Sequence, residues 1–145
     1  MHEKGTGRKP EKERRNRIVH PARTLAQVRG ERAERFASEH LARNGLITIA
    51  RNVRCRGGEI DLICRDRDTV VFVEVRLRTN PNFGGAAASI GARKRGRILL
   101  AARWWLNGAG RAHSQRPCRF DVIAVDGVEP HEINWIKSAF DASEC

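Results

Sequence analysis

The stretches Gly58-Glu-Ile-Asp-Leu-Ile63 and Val71-Phe-Val-Glu-Val-Arg-Leu-Arg78 decide the fold. Both are dense in β-branched residues, and Arg65-Asp66-Arg67-Asp68 between them is a polar turn. They read as two strands of a hairpin whose loop covers 65–69. Each strand carries an acid that strands disfavour: Asp61 between Ile60 and Leu62, Glu74 between Val73 and Val75. Period-two alternation puts Glu59 and Asp61 on one face. It puts Glu74 with Arg76, and Val71, Val73 and Val75 on the opposite face. Asp61 then lies directly or diagonally across from Glu74, at roughly 4.5–8 Å. Two carboxylates so placed repel. The arrangement is tolerated when one is protonated, when a base such as Arg76 neutralises them, or when a divalent cation sits between them.

Upstream, Ala33, Phe36, Ala37, His40 and Leu41 recur at i, i+3, i+4, i+7 and i+8, and Gly45 follows. This predicts a helix from Glu31 to Asn44. Glu34 stands beside that apolar stripe, where it reaches the edge of the core as a third acid. Leu46 to Val53 reads as a strand, followed by Arg54, Arg56 and a turn at Gly57-Gly58. Downstream, Thr79 to Gly91 holds Pro81, Gly84 and Gly85 and reads as a loop. Arg93 to Asn107 reads as a second helix with Ile98, Leu99, Ala102, Trp105 and Leu106 inward and its bases clustered toward its start. Gly108 to Pro117 reads as irregular, Arg119 to Val125 as a strand, and Ile133 to Phe140 as a closing element of open type. The order helix, strand, strand, strand, helix, strand describes an α/β protein with helices packed on a mixed sheet.

The 145 residues fit one domain, and 28 Lys and Arg against 17 Asp and Glu give a net charge of +11. A polyanion is the partner that charge implies. Residues 1–29 carry nine bases and three acids and read as a flexible basic arm, leaving 30–145 as the folded domain. Apolar runs such as Val70 to Val73 fall far short of the ~20 residues of a membrane span. A cytoplasmic protein with no membrane partner is expected. Cys55, Cys64, Cys118 and Cys145 are too scattered for a zinc site and read as reduced thiols. Phe72, Phe120, Trp104, Trp105 and Trp135 are expected in the core or at its rim.

The two opening segments, with Phe83-Gly84, Lys94 and Arg119-Phe-Asp-Val-Ile123, resemble in order and spacing the bacterial YraN family. That family resembles the PD-(D/E)XK nucleases, the superfamily of many restriction enzymes and of archaeal Holliday junction resolvases. The resemblance covers about residues 31–140. It implies a restriction-endonuclease-like fold, a mixed central sheet flanked by helices. It also implies metal-dependent cleavage of phosphodiesters, with DNA ahead of RNA and branched or repair-type DNA as the substrate class.

Carried over residue by residue, the resemblance makes Glu34 the helix-borne acid, Asp61 the metal-bridging acid and Glu74 the second metal ligand, with Mg²⁺ or Mn²⁺ as the cation. Arg76 occupies the position of the catalytic lysine, keeping the charge without the compact ammonium geometry. The alternative is therefore a catalytically attenuated nucleic-acid-binding module of the same fold. Lys94 matches a basic position of the family, either supplying part of the missing lysine function or touching phosphate. Arg54, Arg56, Arg78, Arg93, Lys94, Arg95 and Arg97 form the expected nucleic-acid-binding set. Asp121 reads as structural, since Arg119 lies two residues away on the same face. Related junction-cutting enzymes act on two strands, which makes a homodimer one expected assembly.

Overall fold

The computed structural model describes residues 22–78, 90–127 and 132–142. Most of the expected arm (1–21) and most of the glycine-rich loop (79–89, with Phe83 and Gly84) lie outside the described residues.

Helix α1 runs Leu25–Arg43, beginning six residues before the expected start. Thr24 Oγ1 accepts from Gln27 N at 3.1 Å, and Gln27 Oε1 accepts from Thr24 N at 2.8 Å. This capping box satisfies two otherwise orphaned donors. Residues 25–29 of the expected arm are therefore helical. The added turn leaves Leu25 and Val28 exposed, so no core-facing periodicity announces it. At the far end Gly45 adopts φ +88 and turns the chain into the sheet.

The strands are β1 (Ile47–Cys55), β2 (Gly58–Asp66), β3 (Thr69–Arg78), β4 (Cys118–Asp126) and β5 (Ile133–Phe140); helix α2 (Ala92–Asn107) lies between β3 and β4. The sheet order is β1-β2-β3-β4-β5. β1, β2 and β3 form an antiparallel meander, β3 and β4 run parallel, and β5 returns antiparallel to β4. A parallel neighbour needs a long crossover, and α2 lies within it. The β2–β3 turn is only Arg67-Asp68, with Arg67 at φ +55.

Each helix covers one face. Ala33, Ala37 and Leu41 of α1 pack on Leu62, Cys64, Val71, Val73, Ile123 and Val125. Ile98, Ala101, Ala102 and Trp105 of α2 pack on Ile60, Ile63, Phe72, Phe120 and Val122. This mixed sheet between two helices has the expected restriction-endonuclease-like architecture. Phe72 anchors the second layer, edge-on to Trp105 and stacked on Phe120.

Gly108 to Pro117 is ordered rather than irregular. It holds a 3₁₀ turn at Arg111–His113, Gly110 N donates to Trp105 O at 2.8 Å, and His113 stacks on the Trp105 ring. The closing element, Ile133–Phe140, is a strand. Trp104 departs from its expected place: it is 55% exposed, while its neighbour Trp105 is buried.

α2 rests directly on the start of β2. A Cβ on Gly58 would overlap the carbonyl oxygen of Arg97 and lie 3.0 Å from Ala101 N. Backbone atoms of a packed helix do not yield as a flexible side chain does. Gly58→Ala is therefore expected to destabilise the fold by about 2 kcal/mol, read as a lower urea midpoint at unchanged slope. An unshifted midpoint would contradict this close approach.

Candidate active site

The site is built where the strand alternation slips. On the α2 side, β2 turns Ile60 and then Ile63 inward, while β1 turns Val53 and then Ala50 inward. Both strands advance three residues instead of two. In the β1–β2 register, Arg51 faces Leu62 and Val53 faces Ile60, so the step falls at Asn52 and Asp61. Asn52 takes φ +48, a left-handed conformation that asparagine tolerates better than most residues. The period-two argument that put Glu59 and Asp61 on one face does not hold across this step.

The step frees Asp61 from the ladder. β2–β3 pairing ends at Leu62 and Val73, and Asp61 Oδ2 accepts from Val75 N at 2.8 Å. This occupies a main-chain donor that the separating strands no longer pair. The expected juxtaposition of the two strand acids is present: the Asp61 and Glu74 carboxyls lie close enough for each to shift the other's protonation. Such closeness favours a proton on one of them. Burial and then the Asp61 charge push Glu74 up to about 7, against the opposing pull of Lys94. Burial also raises Asp61, while the Val75 N–H and Lys94 act the other way. Glu74 is 7% exposed, and its Oε2 is buried with no donor facing it.

Lys94, in the first turn of α2, brings a neutralising charge to the cluster. Its Nζ lies 3.1 Å from Glu59 Oε1 and 3.4 Å from Glu74 Oε1. Burial alone would lower the Lys94 pKa, but the Glu74 and Glu59 carboxylates hold it above the usual lysine value. Its hydrogen bond in turn draws Glu59 below the usual carboxylate range. Arg76 is half-buried two residues beyond Glu74 along β3 and has an interaction partner. Glu34 reaches the sheet as expected, yet its hydrogen bond goes to the Asn52 side chain. Burial, followed by the nearby Asp61 charge, raises its pKa. It faces an open groove of about 810 Å³ lined by Gln27, Glu31, Asn52 and Arg54.

The structure thus brings Asp61, Glu74, Glu59 and Lys94 together and leaves Glu34 at their edge. Among the described residues, no group of three His, Cys, Asp or Glu converges closely enough to hold a metal ion. The Asp61–Glu74 oxygens, one of them without a donor, still suit a hard divalent cation of the kind that binds one or two carboxylates together with a phosphate. Of the expected nucleic-acid contacts, Arg54, Arg56 and Arg93 are exposed, and Arg78, Arg95 and Arg97 are half-buried. Sequence reasoning missed Glu59 as a partner of Lys94, because their contact spans 35 residues.

Asp121 lies outside this cluster. It is 0% exposed and accepts from Arg119 Nε at 2.9 Å, Arg119 Nη2 at 3.0 Å, Trp135 Nε1 at 3.0 Å and Ser138 N at 3.0 Å. Arg119 Nη1 continues to Asp66 Oδ2 at 3.2 Å. The geometry makes Asp121 a junction between β4 and β5, where Ser138 is held at φ +51.

Sheet order and flanking helices define an α/β protein with a restriction-endonuclease-like fold, and a carboxylate pair lies where β2 and β3 separate. The model of the "Uncharacterised protein family UPF0102" matches residues 33–125. The chain belongs to that family, the YraN family of the sequence resemblance. A UPF0102 protein of Pseudomonas paraeruginosa is 49% identical over 123 residues, covering 83% of this chain and 98% of the relative. One from Dechloromonas aromatica is 50% identical over 123 residues, covering 85% and 97%. One from Cupriavidus taiwanensis is 52% identical over 117 residues, covering 80% and 85%. No helix among the described residues is long and apolar enough to cross a membrane.

Proposed function

We propose that this chain binds nucleic acid and cleaves phosphodiesters at Asp61 and Glu74, with Lys94 rather than Arg76 as the working cation. One observation carries the reading. The ammonium of Lys94, borne by a different element, lies 3.4 Å from Glu74, a buried carboxyl set beside Asp61 and raised to about 7. Arginine at 76 is a poor substitute for lysine where a compact, reorientable donor is needed. Lys94 has that geometry, and its Nζ lies 3.1 Å from Glu59 and 3.4 Å from Glu74.

Asp61 and Glu74 would hold a Mg²⁺ or Mn²⁺ ion, which when bound supplies Lewis-acid stabilisation of the phosphate charge. The rest falls to the protein. Val75 N–H fixes the Asp61 carboxylate. Glu59 tethers Lys94 so that its Nζ stays beside Glu74, where an ammonium stabilises charge building on a phosphoryl oxygen. Exposed Arg54, Arg56 and Arg93 draw in the polyanion through counterion release.

The test is cleavage of labelled single-stranded, duplex, flapped and four-way-junction DNA with Mg²⁺ or Mn²⁺. Native chain should yield metal-dependent products, Asp61→Asn none, and Lys94→Ala about 10²-fold less in kcat/KM, while Arg76→Lys cuts like the native chain. Cutting by Arg76→Lys alone would return the role to position 76. Binding by all variants with cleavage by none would favour the attenuated module. Arg76 and the absence of a three-ligand cluster among the described residues are the observations on that side.

A further inference from the structure

Helix α2 presents a second surface that the carboxylate cluster does not use. Over Ala92–Asn107 the helix holds Arg93, Lys94, Arg95, Arg97 and Arg103 and no acid. At about 100° per residue, Arg93, Arg97, Leu100 and Trp104 fall on one stripe, with Lys94 at its border toward the sheet. Trp105 points into the core on the other side. Along the stripe Leu100 is 47% and Trp104 55% exposed. Among the described residues no acid pairs with Arg93. An indole laid open on the same stripe as the unpaired Arg93 is a costly surface to leave in water, and its chemistry is specific: a flat apolar face beside a site for an anion.

We propose that this stripe is a stacking platform for an unpaired base, with Trp104 as the ring and Arg93 and Arg97 as contacts to the flanking phosphates. The inference rests on the nucleic-acid reading above and deepens it: the substrate class is nucleic acid with a single-stranded segment. Charge selects the occupant. A second copy of this chain would bring the same cations face to face, whereas a polynucleotide complements them. Bases stacked in a duplex hide the faces that an indole needs, so an intact duplex cannot use the platform. Ten residues separate Lys94 from Trp104, about 15 Å along the helix axis. One strand can therefore lie along α2 with its base on Trp104 and a phosphate a few nucleotides away at Lys94.

The experiment compares a labelled single-stranded thymidine oligomer with a blunt duplex of equal length at one fixed salt concentration. Native chain, Trp104→Ala and Trp104→Phe are titrated with each. The expected result is about five- to hundredfold weaker single-strand binding by Trp104→Ala, unchanged duplex binding, and most of the single-strand affinity retained by Trp104→Phe. Equal weakening on both DNAs, or none on either, overturns the platform while leaving nucleic-acid binding intact. Failure of the native chain to bind either DNA overturns both readings. Two controls address other occupants. A native dimer that Trp104→Ala dissociates, or binding to anionic vesicles that Trp104→Ala abolishes, would likewise overturn it. Selective loss by Trp104→Ala in a chain that cuts nothing would uphold the platform and remove only the catalytic part of the proposal.

Discussion

Asp121→Ala is expected to destabilise the protein by about 3–5 kcal/mol, read as a lower urea midpoint for unfolding. The carboxylate is fully buried and accepts from a guanidinium, an indole and a main-chain N–H. Removing it takes the acceptor from Trp135 Nε1 and Ser138 N, both bonds part-buried, and leaves Arg119 without its bidentate partner. Each donor that loses its partner carries a desolvation penalty to the extent that water cannot reach it. Arg119 keeps Asp66 and some solvent access, which sets the lower end of the range. Ser138 adds to the effect, because its left-handed φ is held by the N–H bond that is lost. Asp121→Asn should fall between the two, since an amide oxygen accepts part of this set but lacks the charge. A loss under about 1 kcal/mol for Asp121→Ala would show that β4 and β5 are joined by other means.

Glu74→Gln is expected to act in the opposite direction. The folded protein holds the Glu74 carboxyl at about 7 against an ordinary value of 4.5. Between those pH values the native state binds a proton that the unfolded chain releases, so stability falls as pH rises from about 4.5 through 7. Above 7 the full penalty is present, on the order of 3 kcal/mol. Glutamine keeps the shape and carries no charge. The variant should therefore be more stable than the native chain at pH 8, by up to that amount less the lost Lys94 contact, and nearly equal to it at pH 4.5. Urea midpoints of both proteins across this range measure the difference directly. A gain that did not change with pH would mean that Glu74 does not titrate in this window. The same variant should be inactive in the cleavage test, so the residue proposed for chemistry is one that weakens the fold.

How much of this was legible depended on whether periodicity carried the information. The α1 stripe and the β3 alternation of Val71 and Val73 against Phe72 follow from repeat lengths alone, and the nearness of Asp61 to Glu74 follows from the hairpin register, though the slip that turns Asp61 out of the ladder does not. The early start of α1 was also written in the chain, as Thr24 and Gln27 at capping-box spacing, but in a polar stretch with no apolar face. Trp104 and Trp105 were separable in principle, since consecutive helical residues point about 100° apart and Trp105 already belonged to the inward set. The slip at Asn52 and Asp61 was not legible, because a left-handed asparagine leaves no mark in the residues around it. Nor was the Lys94 position. It depends on a parallel crossover that brings α2 over the start of β2, and on the missing side chain of Gly58 that lets it settle there.

The irregularities that shape the site also govern how the sheet meets other chains. In an open five-stranded sheet, β1 and β5 each have a margin of main-chain groups onto which a foreign strand can add. β1 is broken by a register shift between Thr48 and Ala50 and by the turn of Asn52, with Arg51 and Arg54 exposed along it. β5 is broken at Ser138, beside exposed Lys137, where its register with β4 shifts. Neither margin offers an uninterrupted row of donors and acceptors. The kink that frees Asp61 from the ladder thus also guards the molecule against strand addition and aggregation.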